Sequence, residues 1–294
     1  MFPKLDISQQ IIYHAMTGYL FCKSDIMTTV LPVTILAFTA TPLCTDHPIS
    51  HAIQSMFWLL LHLLQFNLSN QLYSINEDRE NHPYRPLASG RITISMAFNL
   101  RWLSTWICLF VSLFYGKAVL EASFFSALFA LLYNETKFHK HWFYRCSFNA
   151  LGYGAFKLGT MLISSCDNSV LDSVALDALL IGMAMIWTTV YVQDFQDIEG
   201  DTMMERATLP IVFPTLSRAA VMPMLLLWSI FLWNFWNLAF YAGTSIVLLA
   251  VAVSARFWLA RNIKADKISY LWYNLWLAIC FMLPAYYRVR SSIR

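Results

Sequence analysis

Charge is what this sequence has least of. Asp, Glu, Lys and Arg make up only 13% of its 294 residues, about half the share of a soluble domain, whereas 58% are hydrophobic and the mean hydropathy is +0.53. A water-soluble globule is excluded. So is a nucleic-acid binder, because a formal charge of +3 is too small to attract a polyanion. The six cysteines have no C-x-x-C spacing and read as small apolar residues; a Cys44–Cys166 bridge near the non-cytoplasmic face is the weaker alternative. No Ser/His/Asp or Cys/His constellation offers a side-chain nucleophile. No long linker or low-complexity stretch divides the chain, so residues 1–294 are expected to form one domain. No sequence feature calls for a protein partner.

Apolar runs stand where charge is missing. They fall at 25–43, 50–69, 92–115, 118–134, 147–165, 172–192, 209–232, 236–257 and 269–287, each near the ~20 residues that cross a ~30 Å hydrocarbon layer. The expected fold is all-α, a polytopic membrane protein of about nine transmembrane helices. The divisions at Gly116-Lys117 and around Asn234 leave eight or ten open. Residues 1–24 carry Lys4, Asp6 and Lys23 and lack the compact apolar core of a signal peptide. Leu5, Ile12, Met16, Tyr19 and Leu20 instead predict an amphipathic helix on the membrane surface.

Lys and Arg orient the bundle. Arg79, Arg85, Arg91, Lys137, Lys140, Arg145, Arg206, Arg261, Lys264 and Lys267 fall in loops on one side, with little beyond Lys117 on the other, which puts the first group in the cytoplasm. An endoplasmic reticulum membrane is the expected location. The tail RVRSSIR departs from the rule, since Arg288, Arg290 and Arg294 would lie outside.

Two acidic clusters sit at helix mouths on that cytoplasmic side. In NQLYSINEDRENHPYRPLASGR, Asn70, Ser74 and Asp78 recur at i, i+4 and i+8; in QDFQDIEGD, Asp194, Asp197 and Asp201 recur at i, i+3 and i+7. A helix would stack each set on one face. Carboxylates at the ends of membrane helices need positive charge between them, and Mg²⁺ carrying a diphosphate meets that need. Asp78, Asp194, Asp197 and Asp201 are therefore the candidate metal ligands, with Asn70 as a neutral donor and Glu77 behind them. Glu80, Glu199 and Glu205 read as solvated loop charges. Arg85 and Arg91 bracket a PLASG turn and could bind the diphosphate, as Tyr133 and Lys137 one helical turn apart could; topogenic charge is the alternative for all three cations. A polar cap over an apolar body suits a diphosphate ester of a long hydrocarbon.

Other polar and aromatic residues divide between structure and site. Lys157, near the middle of a span, should face the bundle interior or a wet cavity. His62 reads as a satisfied core histidine, and His139, Lys140 and His141 point in different directions on a helix. Trp102, Trp106, Trp187, Tyr191 and Trp228 are positioned to offer π faces to a carbocation, although membrane helices also use such residues at interfaces.

The ordered set of Asn70 through Asp78, RPLASG, Tyr133 with Lys137, DFQDIEGD and ERATLP resembles the UbiA superfamily of membrane prenyltransferases and related terpene cyclases. The resemblance spans most of the chain and implies a nine-helix bundle, Mg²⁺ and a prenyl diphosphate substrate. The family form of the first motif is Asn-Asp-x-x-Asp-x-x-x-Asp, from which this chain departs at Gln71 and Ser74. That variant is similar to a fungal branch of membrane-bound class I terpene cyclases. Cyclisation of a prenyl diphosphate, farnesyl diphosphate foremost, is what the branch implies; prenyl transfer to an aromatic or quinone-like acceptor is the nearest alternative, and a transporter or scaffold a distant one.

Overall fold

The computed structural model describes residues 6–42 and 46–292. Thirteen α-helices run in the order α1 (Ile7–Cys22), α2 (Leu31–Ala40), α3 (Pro48–Tyr73), α4 (Ile75–Asn81), α5 (Ile94–Leu113), α6 (Lys117–Glu135), α7 (Trp142–Ser164), α8 (Ser173–Thr189), α9 (Ile198–Met203), α10 (Leu209–Val212), α11 (Pro214–Phe235), α12 (Phe240–Leu259) and α13 (Ile263–Ser292). No strand occurs among the described residues.

Seven helical runs are long and apolar enough to cross a membrane: Ile7–Ala40, Ile94–Leu113, Lys117–Glu135, Ser173–Phe195, Pro214–Phe235, Phe240–Leu259 and Ile263–Ser291. α3 and α7, of 26 and 23 residues, are long enough but more polar. The reason is their inward faces, which bury Gln65, Asn67, Ser69 and Gln71 on α3 and Arg145, Lys157 and Thr160 on α7. Eight of the nine expected spans coincide with a long helix to within about six residues, whereas the first, 25–43, falls in a run that begins at Ile7 and contains only the ten residues of α2; nine is thus an approximate count, seven runs being apolar enough to span.

α7 is the hinge pin of the bundle. It packs against α2, α3, α6 and α8, while α3 also covers α5 and α13 closes against α2 and α12. The first helical run is not uniform: a 3₁₀ turn at Lys23–Asp25 and a π-helical turn at Ile26–Val30 separate α1 from α2. α1 begins with a capping box, in which Asp6 accepts from the Gln9 amide at 2.8 Å and Gln9 accepts from the Asp6 amide at 3.2 Å. Its Ile7, Ile11, Ile12, Met16 and Tyr19 are exposed, as an apolar face turned to lipid would be. Instead of lying apart, however, α1 continues into the first span. Leu5 and Cys44 are outside the described residues, so the start of the amphipathic stretch and the Cys44–Cys166 bridge are as well.

Two of the tail arginines have partners on the far side of the bundle, and Arg294 lies outside the described residues. Arg288 donates to both Asp172 carboxylate oxygens at 2.7 and 2.8 Å, and Arg290 to the Asn237 carbonyl at 2.7 Å. His62 is fully buried, bonded to the Trp58 carbonyl at 2.8 Å and the Ser123 hydroxyl at 2.7 Å. Lys157 is also fully buried, its Nζ without a hydrogen-bond partner among the described residues and 4.2 Å from the Phe281 ring centre. It lies behind the chamber described below, in room left by Gly182, where a Cβ would come within 2.9 Å of Nζ.

Candidate active site

Both acidic motifs sit on broken helices, not on the continuous helical faces that their spacing predicts. α3 ends at Tyr73, Ser74 leaves helical geometry (φ −116°, ψ 18°), and α4 resumes. The Ser74 hydroxyl bonds back to the Asn70 carbonyl at 3.2 Å and to Asp78 Oδ2 at 3.1 Å, local bonding that competes with the helix ladder. Asn70, Ser74 and Asp78 still reach one chamber. The second motif crosses a 3₁₀ turn at Val190–Phe195 before α9 begins after Asp197. That tighter winding removes the 3.6-residue register. Asp197 lines the chamber, whereas Asp194 and Asp201 are buried behind it.

The two motifs meet because α4 and α9 pack together. Gly200 permits the approach: a Cβ there would lie 2.4 Å from Asn81 Nδ2 and 3.3 Å from Glu77 Cγ. Three arginines hold the carboxylates. Arg85 donates to Asp78 Oδ1 at 2.6 Å and to the Ser24 hydroxyl at 3.2 Å. Arg145 donates twice to Asp194 Oδ1, at 3.0 and 2.9 Å, and to the Tyr133 hydroxyl at 3.2 Å. Arg206 spans both motifs, reaching Asp201 Oδ1 at 2.8 Å and Glu77 Oε1 at 3.0 Å. A short backbone bridge, Trp142 N to Ala207 O at 2.9 Å and Ala207 N to Lys140 O at 2.6 Å, fixes the loop of Arg206 beside the start of α7 and Arg145.

Five carboxylates (Glu77, Asp78, Asp194, Asp197 and Asp201) thus face three guanidiniums. Burial, and then the charges of Asp201 and Asp194, push Asp197 up to about 7, the behaviour of a carboxylate group short of positive charge. Asp201 Oδ2 is buried with no partner. An all-oxygen donor set with an orphaned carboxylate oxygen fits Mg²⁺. Among the described residues no three His, Cys, Asp or Glu side chains already form a cation cage, and Mg²⁺ commonly completes its shell with phosphate oxygens and water.

Below this cap lies a cavity of about 1100 Å³, mouth included. α7 lines it with Arg145, Phe148, Asn149, Gly152, Tyr153 and Phe156, a run of i, i+3, i+4, i+7, i+8 and i+11 that is one helical face. α6 adds Ser126, Phe129, Ala130 and Tyr133, α3 adds Leu63 and Phe66, and the 3₁₀ and π-helical turns between α1 and α2 add Asp25 and Thr29. Gly152 has open space where a Cβ would be.

The other expected residues fall elsewhere. Lys137 is exposed, because α6 stops at Glu135 and Lys137 takes a left-handed conformation (φ 60°) past the helix end; Arg145 occupies the place beside Tyr133. Arg91 turns away from the cap to α1, bonding Thr17 Oγ1 at 2.7 Å and the Tyr13 carbonyl at 2.9 Å. Trp102 and Trp106 are exposed, and Trp187, Tyr191 and Trp228 bond Ser147, the Ser217 carbonyl and Thr188 outside the chamber. The chamber's rings are Phe66, Phe129, Tyr133, Phe148, Tyr153 and Phe156. His139 bonds the Tyr133 carbonyl, Lys140 pairs with Glu205, and His141 caps α7, so the three diverge as expected. Arg145 and Arg206 were legible only as positive-inside charge; the α7 face below Arg145 was the signal that could have found it.

Residues 15–278 match the UbiA prenyltransferase family. Over 283 residues the chain is 31% identical to fumagillin beta-trans-bergamotene synthase of Aspergillus fumigatus, covering 94% of each. It is 29% identical over 224 residues to digeranylgeranylglyceryl phosphate synthase of Methanocaldococcus jannaschii, covering 75% of this chain and 66% of that one. A UbiA homologue from Archaeoglobus fulgidus bound to GPP and Mg²⁺ shares the fold with a TM-score of 0.61 at 14% identity, covering 92% of this chain and 99% of the other.

Proposed function

The chain belongs to the UbiA prenyltransferase family, and from that premise we propose that it is a membrane-bound class I terpene cyclase acting on farnesyl diphosphate. One observation carries this reading: an arginine and carboxylate cap and an aromatic-walled body share a single cavity, the shape of a charged head on a hydrocarbon tail. Likeness along nearly the whole chain to a bergamotene synthase supports cyclisation as the outcome.

Asp78, Asp194, Asp197 and Asp201, with Asn70, would hold Mg²⁺, which when bound supplies positive charge to neutralise the leaving diphosphate. Arg85, Arg145 and Arg206 bind phosphate oxygens through their paired N–H groups, and the Tyr133 hydroxyl, beside Arg145, orients the head. Ionisation breaks the C1–O bond, and the chain's own double bonds attack the allylic cation. Phe66, Phe129, Phe148 and Phe156 turn apolar, π-rich surface to that cation and exclude the water that would quench it. No protein nucleophile is required. The loop cations support a cytoplasmic cap, in keeping with an endoplasmic reticulum enzyme.

A second reading, prenyl transfer to an acceptor, is favoured by Asn149, whose Nδ2 lines the wall buried and without a partner, a donor free to meet a polar co-substrate. Membranes containing the protein, supplied with Mg²⁺ and farnesyl diphosphate alone, test the two. A cyclic hydrocarbon that disappears with EDTA is the expected product. No hydrocarbon, with turnover once an aromatic acceptor is added, would overturn cyclisation in favour of transfer.

A further inference from the structure

A class I cyclisation that ends in a hydrocarbon loses a proton, and the cap's carboxylates are held by arginines or belong to the acidic cluster that would hold Mg²⁺. Of the four carboxylates that line the chamber, Glu77 and Asp78 are held by Arg206 and Arg85, and Asp197 belongs to the acidic cluster. The fourth is Asp25. It sits in the irregular stretch between α1 and α2, where a 3₁₀ turn passes into a π-helical one, a distortion often found where a helix presents a functional side chain.

Asp25 is held on one oxygen only. Its Oδ2 accepts from Asn67 Nδ2 at 2.9 Å and from the Ser24 hydroxyl at 3.3 Å, whereas among the described residues no hydrogen bond reaches Oδ1. Asn67 lies three residues before Asn70 on α3, which places this anchor about 5 Å below the first motif along the helix, on the hydrocarbon side of the cap. Among the described residues no guanidinium forms an ion pair with it; Arg85, near enough for its charge to be felt, bonds Asp78 and Ser24 instead. The other polar groups nearby are weaker bases by bonding: the Tyr153 hydroxyl is shared between Thr29 Oγ1 at 2.8 Å and the Thr28 carbonyl at 3.3 Å. His82 lies on the loop above Asp78, edge-on to Tyr84, on the head side of the diphosphate.

We propose that Asp25 is the general base that ends the reaction, its Oδ1 taking a proton from the carbon next to the final cation. This rests on the cyclase reading above. The C–H bond breaks, its electron pair forms the product's double bond, and the proton goes to the carboxylate, then to water once diphosphate and product have left. Asn67 and Ser24 fix the orientation of the accepting oxygen.

The test compares the parent with Asp25→Asn and Asp25→Glu in membranes, measuring the parental hydrocarbon formed per diphosphate released from farnesyl diphosphate with Mg²⁺. Asp25→Asn keeps the shape and is expected to lower that ratio at least tenfold, with alcohols and less cyclised hydrocarbons making up the difference. Asp25→Glu restores a carboxylate and should lie above Asn. A ratio and product profile equal to the parent's in Asp25→Asn, or equal values in the Asn and Glu variants, would overturn the proposal. Loss of all diphosphate release in both would also overturn it, by assigning Asp25 to the ionisation step or to folding, which thermal unfolding in detergent tells apart. A parent that makes no hydrocarbon without an acceptor sinks the cyclase reading, and this inference with it.

Discussion

Replacing Arg206 by methionine should loosen the cap more than any other single change there. The guanidinium is 8% exposed and contacts Asp201 at 2.8 Å and Glu77 at 3.0 and 2.9 Å. Methionine fills similar space but leaves two carboxylates, 0% and 12% exposed, without their counter-charge. Removing one partner of a buried pair costs about 3–5 kcal/mol, and the partial hydration of Glu77 puts the expected loss near the lower end. At roughly 2–4 °C per kcal/mol for a chain of this size, Tm should fall by about 6–12 °C. The measurement is tryptophan fluorescence during thermal unfolding in detergent. Adding Glu77→Gln removes one stranded charge and should recover at least about 1 kcal/mol, a coupling expected only of residues in contact. A fall of less than about 2 °C, or a double variant no more stable than the single one, would refute the claim that Arg206 ties the two motifs together.

Asp78→Ala and Asp194→Ala are each expected to abolish diphosphate release while the protein stays in the membrane; turnover retained by either, read in a phosphate-release assay, removes that residue from the head-group site. Arg145→Met should lower turnover about 10²–10³-fold, as loss of a donor to developing charge does, whereas Lys137→Ala should leave it within about threefold because Lys137 is exposed beyond the end of α6. Lys157→Met should raise Tm, since an unpartnered buried amine gives way to an apolar side chain of similar length. An unchanged or lower Tm would mean that Nζ has a partner in the working protein.

The bundle was legible in the sequence because hydrocarbon thickness imposes a length on every apolar run, and nothing later in folding relaxes that constraint. Even α3 and α7, polar on one side, kept enough apolar surface to be read as spans. The site was legible in its residue types more than in its geometry. Spacing alone put each acidic set on one helical face, but Ser74 and the 3₁₀ turn ahead of Asp197 break those faces, and what then joins the two motifs is contact between α4 and α9, more than a hundred residues apart in the chain. The cations were the harder part. Arg145, Arg206, Lys137 and Arg91 all belong to the one-sided group of loop cations, so that bias could not separate Arg145 and Arg206, which hold carboxylates, from Lys137 and Arg91, which do not line the chamber. The Trp residues posed a similar problem, since a ring at an interface and a ring in a cavity look alike until the neighbouring helix is placed.

The α7 face gives the chamber a graduated scale. From Arg145 to Phe156 the wall residues step inward over eleven positions, about 16 Å of helix axis, so each turn of α7 marks a fixed depth beneath the head group. Gly152 is the vacant graduation, with nothing within 4 Å of where a side chain would begin. On the cyclase reading proposed above, bulk added there should shorten the tail the chamber accepts, two turns of α7 away from Arg145 and its ion pair with Asp194.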